Sequence, residues 1–66
     1  MRINSIKIKL LMAEQGLNQN ELAEKCGISR QNISLTLSRG TCHPVKAAKM
    51  ANALGVSVRE IIKEEI

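Results

Sequence analysis

Residues 19–39, which read QNELAEKCGISRQNISLTLSR, constrain the fold of this chain more than any other stretch. Leu22, Ala23 and Cys26 recur at the spacing that places side chains along one stripe of a helix. Gly27 follows directly, at the position where helices commonly end in a left-handed residue. This half of the stretch therefore predicts a short helix that ends at a tight turn.

The second half of the stretch predicts another helix directly after the turn. Ser29 has a side chain suited to capping a helix, and Ile33 and Leu37 lie four residues apart on what would be its buried side. Ala23 is small enough for this helix to cross close above it. Two helices joined by a tight glycine-containing turn form a helix-turn-helix, a motif whose second helix enters the major groove of DNA.

The N-terminal part of the chain predicts a helix that ends at Gly16. Residues 10–15 are good helix formers, and Asn4 or Ser5 can cap the start. Residues 6–10 alternate in a way that also fits a strand, but we expect no partner for a single strand elsewhere in the sequence. A helix is therefore the better interpretation.

Capping signals mark the start of the motif's first helix and of the last two helices. Asn18 and Glu21 form a capping-box variant, and Ser57 and Glu60 repeat it before a short last helix. Pro44 fits the first position of a fourth helix. The residues expected to point inward from the last two helices are Ala47, Met50, Ala51, Leu54, Val58, Ile61 and Ile62. The sequence thus predicts an all-α fold of five helices in a single domain over residues 1–66.

Composition limits the core and the class of partner. A chain of 66 residues without aromatic side chains must build an aliphatic core, which favours modest stability and makes self-association a further source of burial. Residues 1–49 carry a net charge of +5 and residues 50–66 carry −1. A basic body suits a polyanion, although ordinary solubilising charge explains it equally well. No apolar run could span a bilayer and no signal-peptide pattern is present, so we expect a cytoplasmic protein.

The residues that metal sites and catalysis need are scarce. Cys26, Cys42 and His43 are the only soft ligands and lack the paired spacing of a zinc site, so we expect no metal and no other cofactor. The chain has one His and no Asp, and it lacks a phosphate-cradling glycine loop. We therefore expect that the protein is not an enzyme. We also expect no small-molecule effector, because so small a core leaves little room for a ligand pocket.

The second helix of the motif carries the residues that we expect to read bases: Arg30, Gln31, Asn32, Ser34 and Leu35. Gln31 can pair with adenine in bidentate fashion, Arg30 with guanine or a phosphate, and Ser34 with either base type. Leu35 lies opposite the core stripe and can contact a thymine methyl group, although a protein interface or a harmless exposed leucine would also account for it. A solvated polar helix face is the simpler alternative for the whole set.

A second group of residues suits the DNA backbone: Asn18, Gln19, Arg39, Thr41 and Lys46. The free amides and positive dipole end of the motif's first helix suit a phosphate, with the Gln19 side chain beside them. Arg39 and Thr41 lie where a backbone-contacting loop is expected after the second helix, and Lys46 adds to it. For Asn18, pure capping is the alternative and is compatible with both interpretations.

The spacing of Gln19, Ala23, Gly27 and Ile33, with the segments GLNQ, ELAEKCGIS and ANALGVSV, resembles the phage repressor and Cro type (XRE-like) helix-turn-helix domains over about residues 8–62. The resemblance implies a compact five-helix lambda-repressor-like fold, cytoplasmic transcription regulation and a homodimer on a palindromic operator. It also implies that Gln19 binds a phosphate and that Arg30, Gln31, Ser34 and Leu35 occupy base-reading positions.

Two departures from the family pattern affect the third helix. The chain has Thr36 where an aliphatic residue is common, and it has one residue more than usual between Ile33 and Gly40. We therefore expect the third helix to run a residue longer into a tighter loop.

These patterns predict a sequence-specific regulator of transcription, of the phage or mobile-element repressor kind, that binds double-stranded DNA with the helix at about residues 30–39. The alternative is an antitoxin-like or other protein-interaction module. It is motivated by Leu35 and by apolar residues in excess of the core, namely Ile3, Ile6, Leu10 and Ile66. A homodimer would use the last helix with Ile66 or the exposed side of the first helix.

Overall fold

The computed structural model describes residues 1–63 of the chain, which form five helices joined by short connections. The helices are α1 (Ser5–Glu14), α2 (Gln19–Cys26), α3 (Arg30–Arg39), α4 (Pro44–Leu54) and α5 (Val58–Ile61). Over these residues the backbone also forms two isolated β-bridges, but no named strand. The all-α prediction is confirmed, and the prediction for Ile66 lies outside the described residues. None of the five helices is long and apolar enough to cross a membrane.

The start of α2 and the two ends of α3 form as their sequence signals predict. The Asn18 side chain accepts a hydrogen bond from the Glu21 amide at 2.8 Å, and the Glu21 carboxylate accepts one from the Asn18 amide at 3.1 Å. Ser29 caps α3, and Gly40 ends it with a φ of 73°, a conformation that costs glycine little. The helix α3 therefore extends to Arg39, as the longer spacing before Gly40 predicts.

The capping box predicted at α5 is wrong. The Ser57 hydroxyl accepts a hydrogen bond from the Arg59 amide at 3.3 Å, but the Glu60 carboxylate turns away and lies 3.8 Å from Lys7 Nζ. The helix is a single turn that ends at Ile61, and Ile62 is half-buried in extended backbone rather than inward on the helix. The Glu60 carboxylate interacts with Lys7 of α1, which is within reach, instead of accepting a hydrogen bond from the Ser57 amide.

The core is aliphatic and draws on every helix. The buried residues are Ile3, Ile8, Met12, Leu22, Ala23, Cys26, Ile33, Leu37, Ala47, Met50, Ala51, Leu54 and Ile61. Thr36 is also buried, with 4% of its surface exposed, although the helical stripe alone assigns only Ile33 and Leu37 to the inside of α3. The helix α2 packs against α3 and α4, so the motif rests on α4 as its support.

The N-terminal segment lies between two other parts of the chain. The Ile3 amide donates to the Gly40 carbonyl at 2.9 Å, and the Asn4 amide donates to the Ile61 carbonyl at 2.7 Å. Arg2 and Ile3 thereby form bridges with Thr41 and Ile62. Residues 6–10, for which a strand is the alternative, lie in α1 as the helix interpretation predicts. One expectation is corrected: Ile3 is a core residue, 3% exposed, rather than a surplus one.

Candidate nucleic-acid interface

The helix α3 buries one face and exposes the other. Ile33, Thr36 and Leu37 are buried, whereas Arg30, Gln31, Asn32, Ser34, Leu35, Ser38 and Arg39 are exposed. All five residues predicted to read bases therefore lie on the solvent side of one helix. Leu35 is 53% exposed, so its side chain contributes little to the core. The polar side chains of this face can donate and accept hydrogen bonds at base edges, and none of them is buried in the core.

The turn between α2 and α3 fixes the direction of that face. Gly27 adopts a φ of 70°, and the Ile28 amide donates to the Ala23 carbonyl at 3.1 Å. The Ser29 hydroxyl accepts from the Asn32 amide at 3.2 Å, which closes the first turn of α3. Because Ala23 is buried and small, α3 can cross close to α2. The turn and the packing of α2 against α3 therefore fix the orientation of the exposed face of α3.

Asn32 and Lys46 are brought together, although the sequence assigns one to bases and the other to phosphates. Lys46 Nζ donates to Asn32 Oδ1 at 2.9 Å, which links α4 to α3. The pair lines an open groove of about 520 Å³ together with His43 and Lys49. With its oxygen engaged, Asn32 presents its amide donors only, which is half of the bidentate pattern that adenine requires.

The N-terminus of α2 has two backbone donors to offer. The capping box engages the amides of Asn18 and Glu21, and the first amides of a helix have no acceptor within it. Among the described residues, the amides of Gln19 and Asn20 have no intramolecular acceptor. Gln19 is the first residue of α2 and is half-buried. An anion fits here, although the Glu21 carboxylate weakens the local positive potential.

The C-terminal end of α3 lies beside a second open groove. Arg39 is its last helical residue and Thr41 follows in the bridge with Arg2, and all three line the groove with Lys63. The Ser5 hydroxyl donates to the Leu37 carbonyl at 2.7 Å and so ties α1 to this end of α3. The residues predicted to contact phosphates thus lie in three places: Asn18 and Gln19 at the start of α2, Lys46 beside Asn32, and Arg39 and Thr41 after α3.

Sequence reasoning missed Lys49 and Lys63. Lys49 follows Lys46 by three residues on α4, a helical spacing that would have placed it beside the same groove. Lys63 reaches the groove after α3 because its amide donates to the Arg2 carbonyl at 2.9 Å. That pairing joins the two ends of the described chain and has no local sequence signal.

The two cysteines are free thiols. Burial raises the pKa of the Cys26 thiol, an effect that the nearby Lys49 partly offsets, and burial also raises the pKa of Cys42. Cys26 behaves as a small core residue whose Sγ lies 3.8 Å from the Lys49 carbonyl oxygen. Within residues 1–63, no three His, Cys, Asp or Glu side chains cluster as a metal site would require.

Comparison with known protein families gives one match that covers most of the chain. The family model for the Cro/C1-type HTH DNA-binding domain matches residues 7–65. The match contains all of α2 to α5 and most of α1. It leaves out residues 1–6, which include the N-terminal segment that pairs with the loop after α3.

Proposed function

This chain belongs to the Cro/C1-type helix-turn-helix DNA-binding domain family, and we propose that it is a sequence-specific repressor of transcription, of the kind found in phages and mobile elements. The observation that carries the proposal is the exposed face of α3. Five side chains able to contact base edges lie there side by side, on a helix whose opposite face is buried. The protein acts by binding DNA, without a catalytic step, a cofactor or a small-molecule effector.

In this proposal α3 lies in the major groove and reads bases. Gln31 pairs with adenine, Arg30 with guanine or a phosphate, and Ser34 with an adjacent base. Leu35 packs against a thymine methyl group, which gives an apolar residue on a polar face a use. Asn32 contributes less to base readout than the sequence suggests, because Lys46 occupies its oxygen.

The DNA backbone is held on both sides of α3. At one side a phosphate accepts hydrogen bonds from the Gln19 and Asn20 amides, with Asn18 as the cap. At the other side Arg39 and Thr41 contact the backbone after α3, and Asn32 orients Lys46 toward a further phosphate. Such contacts supply most of the affinity and set the position of the reading face, whereas base contacts supply the specificity.

The regulator works as a homodimer on a palindromic operator. A single domain of this size offers a small footprint, and two copies with half-sites one helical turn apart supply the missing affinity.

A gel shift with random duplex DNA at low and moderate salt tests the binding function. We expect binding that weakens as salt rises, because phosphate contacts release counterions. Arg39→Gln should weaken binding to all sequences and reduce the salt slope by about one unit. An unchanged slope would remove Arg39 from the phosphate contacts.

A protein-interaction module of the antitoxin kind is the second candidate function. It is favoured by the exposure of Leu35, because a protein partner could bury this side chain as well as DNA could. Complete absence of binding to duplex DNA at low salt would favour this second function over the first.

A further inference from the structure

An apolar face on α1 takes no part in the proposed DNA contacts. Ile6 is 72% exposed and Leu10 is 58% exposed, and Ala13 is exposed beside them. The three residues follow one another at intervals of four and three, so they share one side of the helix. Ile8 and Met12 are buried on the opposite side. The outer side of α1 is therefore an apolar stripe over the length of a ten-residue helix.

Two of the three charges beside this stripe stand at the unfavourable ends of α1. Lys7 lies in the first turn, near the positive end of the helix dipole, and Glu14 is the last helical residue, near the negative end. The first turn has no acidic residue and the last turn no basic one. Within residues 1–63 Glu14 has no ion-pair partner, whereas Lys7 lies 3.8 Å from Glu60. The charge pattern thus does not serve the isolated helix.

An antiparallel copy of the same helix removes both conflicts. In such a pair Leu10 of the two chains meets near the two-fold axis, and Lys7 and Glu14 lie on the same flank of the stripe. Lys7 then faces the partner's Glu14, and Glu14 faces the partner's Lys7, since Lys7 precedes Leu10 by three residues and Glu14 follows it by four. Each charge also lies at the end of the partner helix whose dipole favours it. Lys9 lies on the other flank, near the partner's Lys9, and the two long side chains can separate by extending into solvent.

We propose that the outer face of α1 binds a second copy of this chain in an antiparallel, two-fold symmetric pair. A symmetric interface must be complementary to itself, and the combination of an apolar centre with reciprocal opposite charges meets that requirement. A chain without aromatic residues also gains burial that its small core lacks. One ten-residue helix buries far less than the roughly 800 Å² per partner of a standard interface, so the association is weak.

Sedimentation equilibrium without DNA, over micromolar to millimolar protein, tests the proposal. Wild-type protein should show a monomer–dimer equilibrium, and Leu10→Glu should abolish it. The matched control is Val45→Glu, which places the same charge at an exposed apolar residue of α4 and should leave association unchanged. Thermal unfolding of each variant verifies that the monomer stays folded.

A charge-reversal mixture identifies the arrangement. Lys7→Glu and Glu14→Lys should each weaken self-association roughly ten- to thirtyfold, because each turns two attractions into two repulsions. An equimolar mixture of the two variants should associate as wild type does, since every facing pair is then opposite in charge. Both variants keep a positive net charge, so general attraction does not explain recovery. A wild-type protein that stays monomeric at millimolar concentration, or a mixture no tighter than its components, would overturn the proposal and leave the face to another partner.

Discussion

Asn18→Asp separates the two roles that the start of α2 is expected to have. In the folded chain Asn18 Oδ1 accepts from the Glu21 amide at 2.8 Å, and a carboxylate oxygen in its place accepts the same bond. The added negative charge also interacts favourably with the helix dipole, although Glu21 lies nearby. We therefore expect the free energy of unfolding to change by less than about 1 kcal/mol.

DNA affinity, in contrast to stability, should fall clearly in this variant. A phosphate on the Gln19 and Asn20 amides would lie on the order of 5 Å from the new carboxylate. Two like charges at that distance repel by about 0.8 kcal/mol in water and by about 3 kcal/mol at an effective dielectric constant of 20. The dissociation constant should thus rise by about fourfold to 150-fold, with the smaller effects at higher salt.

Fluorescence anisotropy with a labelled duplex measures this change, and thermal unfolding measures the stability. The matched control is Ser57→Asp, which makes the same change in net charge at the N-cap of α5. We expect the control to bind DNA nearly as wild type does. A stable Asn18→Asp protein with unchanged affinity, or equal losses in both variants, would refute a phosphate at the start of α2.

Three further changes test other parts of the account. Glu21→Gln keeps a side-chain acceptor for the capping box and removes a negative charge, so DNA affinity should rise by about two- to fivefold in the same anisotropy assay; weaker binding would contradict the phosphate site. Ile3→Ala should lower the free energy of unfolding by about 2–4 kcal/mol, because Ile3 is buried. The control Ile6→Ala, at an exposed residue, should change it by less than about 0.5 kcal/mol in monomeric protein. Equal effects of the two variants in urea unfolding would place Ile3 outside the core. Burial raises the pKa of the Cys26 thiol, so this thiol ionises at lower pH in the unfolded state than in the folded state. The melting temperature of the wild-type protein should therefore fall more steeply above about pH 8 than that of Cys26→Ala. Parallel curves of melting temperature against pH would contradict a protected thiol.

Much of the fold could be predicted from the sequence because its signals are local. The capping box at α2 lies within four residues, and Gly27 and Gly40 end their helices where a left-handed residue is needed. The buried stripe of α3 also follows from helical spacing, except for Thr36. Its methyl group lets it pack inside, whereas its hydroxyl gives it a polar character that hides this role.

The pairings between distant segments could not be predicted. Ile3 is buried because residues 1–4 bond to the backbone of Gly40 and Ile61, which are far away in sequence. For the candidate site, helical geometry predicts which side chains of α3 are exposed. It does not predict the hydrogen bond from Lys46 to Asn32, which depends on how α4 crosses the motif.

Selection from a random duplex library tests the central claim most directly, namely that the exposed face of α3 reads DNA sequence. Wild-type protein should enrich one palindromic motif with half-sites about one helical turn apart. Gln31→Ala should enrich a motif that has lost its preference at one base position of each half-site, at a cost of about 1–3 kcal/mol on the wild-type site. The absence of any enriched motif, or the same motif from both proteins, would contradict the account.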